Sequence, residues 1–416
     1  MENKERIKTV CTGCACLCDD VEIDGGECPQ GPEIRNVCKK GWILFNSSED
    51  ESMRAAPHVN GTPVGISESI EAAGRLLSQA RNPFIFGLDN SPCEAQTCAM
   101  DLAKRCNAAI DDHSPYPMGP LTEDIMSLKI PGHTFEDARC SDLLIYWGSD
   151  PYHSHPRHLS RYTYYCQEAY SKYAAIPEAE ICSIDIRPTS LHKLSTHTFT
   201  VRPGEDIHFI REIRDGFNGK KITERSQSFF SMIKGRRKCT IFAGPGLMCS
   251  LNGNMDEFKA LVNEIGERVQ TGLMPMVSQY NMRGFNTISY QYTGFINGAR
   301  FTGNGPVRGS SLPRAIKNKE FDCLLTMAAD PFSDLPDILT GELLERGIPI
   351  ISISPFNTRT TFYSNIVVPA AIAGIESAGT AVRMDGQEII MDALRRESAY
   401  PGEQEILRRL LEEVMN

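Results

Sequence analysis

The 416-residue sequence predicts an α/β fold: two Rossmann-like parallel-sheet halves related by internal duplication, preceded by a small cysteine-rich unit. Three observations carry this prediction. Short apolar runs alternate with helical periodicity, strand-plus-turn segments recur in the two halves, and six of the fifteen cysteines fall before residue 40.

Residues 1–55 read as the cysteine unit, with strand-like Thr9-Val10 and Asp20–Ile23 around a C-x2-C-x3-C loop of Cys11, Cys14 and Cys18. Cys38 follows after a gap, ahead of Lys39-Lys40-Gly41. Three thiolates on one loop plus a remote fourth reach the corners of a 4Fe–4S cluster. A structural zinc site usually shows two C-x2-C pairs instead. Cys28 is the competing fourth ligand, and the cationic Lys40 favours Cys38 because it offsets the charge of a reduced cluster.

Residues 56–237 form the expected first half, with an α/β segment at 80–140. Ser67–Gln79 carries Ile70, Ala73, Leu76 and Leu77 on one helical stripe. Pro83–Gly87 is a short apolar run closing on glycine, read as a buried parallel strand, followed by a helix over Glu94–Asn107 and a strand over Ala108–Asp111. The expected second half, 238–416, ends in an amphipathic helix with Ile406, Leu407, Leu410, Leu411 and Val414 on one face.

The repeat lies in three pairs of segments. Asp142–Pro151 matches Asp322–Pro331, Ile181–Thr189 matches Ile351–Thr358, and Thr198–Pro203 matches Ile366–Pro369. Cys239–Ala243 adds a strand that runs into Gly244-Pro245-Gly246. Ligands of open α/β sheets sit at the carboxyl ends of the strands. Gly148, Asp150, Asp185, Thr189, Gly244, Gly246, Asp330, Ser354 and Thr358 are therefore the expected nucleotide contacts. Acidic and hydroxyl groups would hold a ribose or a guanine edge, and glycines would admit phosphate. A lone Asp-Pro turn merely stops a strand, but two in matching places favour a ligand.

Composition excludes other classes. A net charge of −10 and no basic run longer than Lys234-Gly235-Arg236-Arg237-Lys238 argue against nucleic acid. No apolar stretch approaches the roughly 18 residues of a membrane span. Unpatterned cysteines fit a reducing cytoplasm, where most are small buried apolar residues.

Cys11-Thr12-Gly13-Cys14, Leu17–Asp20, Ser91–Gln96, Tyr146-Trp147-Gly148 and His155–Tyr162 resemble the B subunits of the formylmethanofuran dehydrogenases, molybdopterin-dependent oxidoreductases. So do Leu273–Met276, Tyr280-Asn281, Gly284–Asn286, Gly374–Glu376 and Gly379–Gly386, so the likeness spans nearly the whole chain. The resemblance implies a tungsten or molybdenum centre held by two molybdopterin guanine dinucleotides beside the 4Fe–4S cluster. It implies reversible, ferredoxin-linked reduction of carbon dioxide to formate, in one-carbon metabolism or methanogenesis. It also implies partners: an amidohydrolase-like subunit, a formyltransferase-like subunit, a small β-barrel subunit covering the pterin, and ferredoxin-type carriers. By the same resemblance Lys40 would bridge cluster and pterin, and His155, Arg157, Gly379 and Thr380 would contact the pterin cofactor.

The chain departs from the family where chemistry would occur. The family has a Cys or selenocysteine metal ligand and a His before Gly-Pro; here Pro117-Met118 precedes Gly119-Pro120. Val277, Ser278 and Gln279 stand where the family has an arginine and a histidine. His113, Tyr116 and Arg283 are the candidate substitutes. Three functions follow: an active oxidoreductase subunit, a non-catalytic scaffold or electron relay as in a formyltransferase/hydrolase complex, or another bis-pterin oxidoreductase.

Overall fold

The computed structural model describes residues 6–24, 33–115, 117–166, 179–395 and 398–415. Two compact units result. One comprises Met1–Pro115, Gln279–Arg383 and Glu388–Asn416, the other Tyr116–Ser278 with Met384–Gln387.

Seven strands of the first unit come first: β1 (Arg6–Thr9), β2 (Val21–Asp24), β3 (Ile34–Arg35), β4 (His58–Val59), β5 (Thr62–Pro63), β6 (Pro83–Gly87) and β7 (Ala109–Asp111). The chain then builds the second unit with β8 (Leu143–Trp147), β9 (Glu180–Asp185), β10 (His197–Thr200), β11 (Lys238–Ala243) and β12 (Gln270–Pro275). It returns to the first with β13 (Ala299–Thr302), β14 (Gly305–Arg308), β15 (Cys323–Met327), β16 (Ile350–Ser354), β17 (Ile366–Pro369), β18 (Gly379–Val382) and β19 (Glu388–Met391).

In the first unit nine strands pair in the order β14-β13-β7-β6-β15-β16-β17-β4-β5. The centre, β7 to β17, is parallel, and the margins are antiparallel. Every residue of β6, β15 and β16 is buried, as continuous apolar runs require when helices cover both faces of a parallel sheet. The helices Ile66–Gln79, Cys93–Arg105 and Glu403–Met415 put Ile70, Leu77, Ala99, Leu102, Ile406 and Leu410 into one core. A three-stranded antiparallel sheet, β1-β2-β3, flanks the cysteine loop, and β18 and β19 form a ladder.

In the second unit five parallel strands run β10-β9-β8-β11-β12. Trp147 at the end of β8 is fully buried, with Phe209, Phe229 and Phe258 centred 5.9, 6.3 and 5.9 Å from it. Its indole N–H donates to Asp206 Oδ1 at 2.6 Å, so the ring is buried without an orphaned donor.

The boundaries expected at 55/56 and 237/238 are not those at which the chain divides. β11 and β12, expected in the second half, pair beside β8, while β6 and β7, expected in the first, pair beside β15. Apolar runs identify strands but carry no record of which neighbour each will take. The matched segments do take matching local forms. Each of β8 and β15 leads through Asp-Pro into a four-residue helix, Pro151–Ser154 or Pro331–Asp334. Beyond β9 and β16, Thr189 and Thr358 each form a capping box on a short helix. Among the described residues no helix is long and apolar enough to cross a membrane.

Gly148 sits at φ +62°, and a Cβ built there would lie 2.1 Å from Leu247 N. Gly148→Ala is therefore expected to destabilise the second unit by about 3 kcal/mol or more, read as a lower urea midpoint.

Candidate functional site

The cysteine loop is tight. Cys11 N–H donates to Cys18 O at 2.9 Å and Leu17 N–H to Cys14 O at 3.1 Å, with Leu17 at φ +41°. Cys11, Cys14, Cys16 and Cys18 are all buried. A hydrogen bond with Cys16, against the upward push of burial, brings the Cys14 thiol down to about 7, while Cys16 rises well above its ordinary value. Cys38 is half-buried and caps the helix Lys39–Ser47.

Among the described residues no three His, Cys, Asp or Glu side chains are grouped to hold a metal ion. This overturns the 4Fe–4S cluster expected on Cys11, Cys14, Cys18 and Cys38, and with it the tungsten or molybdenum centre on two molybdopterin guanine dinucleotides. Cysteine spacing gives the reach of the chain, not the direction of its sulfurs. Here the sulfur of Cys14 is engaged by Cys16, a residue outside the spacing pattern. Cys28, the competing ligand, and Tyr116, a candidate substitute, lie outside the described residues.

In the first unit a cavity of 560 Å³ opens at the carboxyl ends of the parallel strands. Lys40, His113, Asp330, Ser354 and Thr358, all singled out from sequence, line it together. His113 follows β7. Its Nδ1 lies 2.8 and 3.0 Å from the two oxygens of Asp89, and its Nε2 3.2 Å from Asp334 Oδ2. Burial alone would push the imidazole down, but the two carboxylates hold it well above its ordinary value. Asp330 accepts from Thr360 N at 2.8 Å, Thr360 Oγ1 at 2.6 Å and Ser333 Oγ at 2.6 Å. Burial raises its carboxyl, yet these bonds outweigh burial and leave it below the usual range.

Two further residues of this cavity lie outside the expected ligand contacts. Glu403, on the first turn of the last helix, is 5% exposed, and Tyr280 is 4% exposed. Glu403 has Ser91 as a hydrogen-bonding neighbour, and Tyr280 Oη is fully buried. Burial pushes the Glu403 carboxyl up to about 8 against the lowering effect of Ser91, and pushes Tyr280 well up. A glutamate opening an amphipathic helix reads as an ordinary N-terminal acid. Only tertiary packing buries it.

The second unit has its own cavity of 870 Å³ at the ends of β8 and β9, lined by Asp150, His153, Asp185, Arg187, Thr189 and His192 among others. Asp150 accepts from Tyr152 N at 3.1 Å and Ser190 N at 3.3 Å, and burial raises the Asp185 carboxyl. Gly148, Gly244 and Gly246 lie where two strand ends cross. Gly246 N–H donates to Gly148 O at 3.0 Å, and a Cβ on Gly244 would meet that oxygen at 2.3 Å, so close backbone approach accounts for these glycines. His155 is buried with Nε2 2.8 Å from Val277 O, and Arg157 is half-buried beside it. Met118 caps the helix Gly119–Met126, next to Pro117, and is 3% exposed. In the first unit, Thr380 on β18 bonds Glu94 through N at 3.0 Å and Oγ1 at 2.9 Å; neither it nor Gly379 reaches the cavity. Arg283 is buried in the helix Met282–Thr293 and likewise does not line it.

No protein-family profile matches the chain. Over 427 aligned positions it is 29% identical to the B subunit of the tungsten-containing formylmethanofuran dehydrogenase 2 of Methanocaldococcus jannaschii, covering 97% of each chain. It is 26% identical to the protein of that description from Methanococcus maripaludis, covering 97% of this chain and 98% of the relative. Its fold matches, with a TM-score of 0.70 and 17% identity, a chain in the crystal structure of the formyltransferase/hydrolase complex (FhcABCD) from Methylorubrum extorquens with methylofuran. That match covers 86% of this chain and 99% of the other.

Because His113 is held protonated above its ordinary 6.5, its pairing contributes stability that is complete below that pH and is lost as pH rises through the folded value. Asp89→Asn should cost about 3 kcal/mol at neutral pH and bring the imidazole titration down, as followed by NMR. Glu403 has the opposite sense for an acid. Its folded value of about 8 exceeds the ordinary 4.5, so the folded state keeps a proton that the unfolded chain releases, and stability falls as pH rises from 4.5 through about 8. Glu403→Gln should flatten that fall in melting temperature between about pH 5 and about pH 9.

Proposed function

The chain is homologous to the B subunits of formylmethanofuran dehydrogenases, within the molybdopterin oxidoreductase superfamily, and from that premise we propose that it is a structural subunit of a formyltransferase/hydrolase-type complex. The carrying observation is the side-chain set. Pro117 and Met118 occupy the positions at which the family resemblance implies a metal ligand and a proton-transferring histidine. Proline offers no lone pair, and a thioether transfers no proton. No metal-holding group of side chains elsewhere among the described residues takes over.

The fold match supports the same reading, since a chain of the formyltransferase/hydrolase complex is covered over 99% of its length. Formyl transfer and formamide hydrolysis move no net electrons, so such a complex needs no redox centre in this component. Carbon dioxide reduction needs one. On this reading the chain binds formyltransferase-like and hydrolase-like partners and holds them in register. We also read the matched runs β8–β10 and β15–β17 as copies of one ancestral unit, a view supported by their shared parallel order, Asp-Pro helices and threonine capping boxes. A reducing, cytoplasmic setting is in keeping with the unpatterned cysteines of the sequence.

The test is anaerobic co-purification with the formyltransferase-like and hydrolase-like subunits, followed by metal analysis and assay. The expected result is a stable complex that transfers formyl groups, without stoichiometric iron, tungsten or molybdenum in this chain and without carbon dioxide reduction. Stoichiometric metal with carbon dioxide reduction would overturn the proposal.

A further inference from the structure

The ladder of β18 and β19 in the first unit leaves one edge open. It pairs Gly379 with Met391, Thr380 with Ile390, Ala381 with Ile389 and Val382 with Glu388. Thr380 N–H donates to Glu94 Oε2 at 3.0 Å and Val382 N–H to Asn281 Oδ1 at 2.7 Å, so both turn away from β19. Opposed residues of an antiparallel pair alternate between bonded and unbonded, which makes Thr380–Ile390 and Val382–Glu388 the unbonded pairs. β19 therefore holds β18 through Ile389 and Met391, and the N–H and C=O groups of Glu388 and Ile390 point to its other edge. Among the described residues no third strand joins that edge. The inner face is anchored, with Ala381 and Met391 fully buried in one cluster with Leu17 and Tyr280, whereas Ile390 on the outer face is 70% exposed.

Other edges of this chain are protected. β1 carries Arg6 and Lys8, β5 and β14 carry Pro63 and Pro306, and β12 is covered where His133 N–H donates to Leu273 O at 2.9 Å. β19 has neither proline nor lysine, and Ile390 stands exposed on it. Outward N–H and C=O groups beside an apolar side chain are what an extended segment needs to add itself to a sheet edge. The charges narrow the chemistry of that segment. From 384 to 394 the chain has Asp385, Glu388 and Asp392 and no base. A strand with an apolar side chain over Ile390 and lysine or arginine toward its ends complements the edge. A second copy of this chain does not, because pairing β19 with itself would gather these acids without a countercharge.

We propose that the outer edge of β19 is a docking site for a basic, apolar-centred β-strand of a partner subunit, which extends the β18–β19 ladder by main-chain hydrogen bonds. The proposal rests on the reading of this chain as a subunit of a formyltransferase/hydrolase-type complex. The experiment compares amide hydrogen exchange in the full-length chain alone and in its complex with the formyltransferase-like and hydrolase-like subunits. The Glu388 and Ile390 amides are expected to exchange at least about tenfold more slowly in the complex, while Ile389 and Met391 are protected in both states. Ile390→Pro removes only the outward N–H, since the inward bonds belong to Ile389 and Met391. It should weaken assembly about fivefold or more and leave the melting temperature of the isolated chain within about 2 °C, whereas Ile390→Val should assemble as the parent does. The exchange measurement needs no variant, so it decides the question even where the proline disturbs the hairpin. Unchanged exchange at Glu388 and Ile390 in an assembled complex overturns the docking proposal and leaves the complex standing. Failure of the parent chain to assemble overturns both. Protection that grows with the concentration of the isolated chain assigns the edge to a second copy and also overturns the proposal.

Discussion

The first unit depends on the parallel pairing of β6 with β15, which joins Pro83 to Cys323 and Gly87 to Met327 in register. Segments so far apart in sequence must meet before the sheet has a centre. Asn82 N–H donates to Asp322 Oδ1 at 2.9 Å across 240 positions and fixes the start of the register. At the other end Gly87, at φ +105°, lets Met327 O approach to where a Cβ would stand 2.3 Å away. The groups that line the cavity follow from this pairing. Asn90 follows β6, and Ala328, Asp330 and Asp334 follow β15, so one register places His113, its Asp89 support and its Asp334 partner together.

Much of this fold is legible in the sequence, for a local reason. An apolar run buried on both faces announces a parallel strand, and Pro83–Gly87 and the strand cores at 143–147 and 323–327 are found where such runs lie. The stripe on Ser67–Gln79 and that on the last helix likewise become core-facing helices. Pairing is not local, and there the sequence falls silent. β11 reads as a further strand opening the second half, yet it pairs with β8 of the second unit. The site is legible in the same partial way. Strand-end residues such as Asp330, Ser354 and Thr358 do converge on a cavity, because strand ends in a parallel sheet converge by geometry. Glu403 goes unseen because nothing beside it in sequence distinguishes a buried glutamate from an exposed one, and Tyr280 enters only within the family-like pair Tyr280-Asn281. The thiols mislead for the converse reason: their spacing is right for a cluster, and the directions of their side chains are not encoded in spacing.

The homology and the departures belong together. A fold keeps its strand registers, glycine crossings and capped turns under selection for stability, and these do not depend on the chemistry once hosted. Gly148, Gly244 and Gly246 pack backbone against backbone whether or not a nucleotide is present. Pro117, ahead of the helix Gly119–Met126, leaves that helix intact, since Pro120 and Gly119 already begin it. A change of side chain at such positions is therefore cheap for the architecture.

The interruption of the first unit by the second also sets a timetable for synthesis. All five strands of the second unit lie between Leu143 and Pro275, so its sheet can be assembled while the ribosome is still working. β6 and β7 emerge earlier but wait for β15, and the helix Glu403–Met415 that covers them arrives last. During that interval an apolar edge stands unpaired. The nascent chain therefore carries a finished domain inside an unfinished one, and its exposure to aggregation is governed by how quickly the last third is translated.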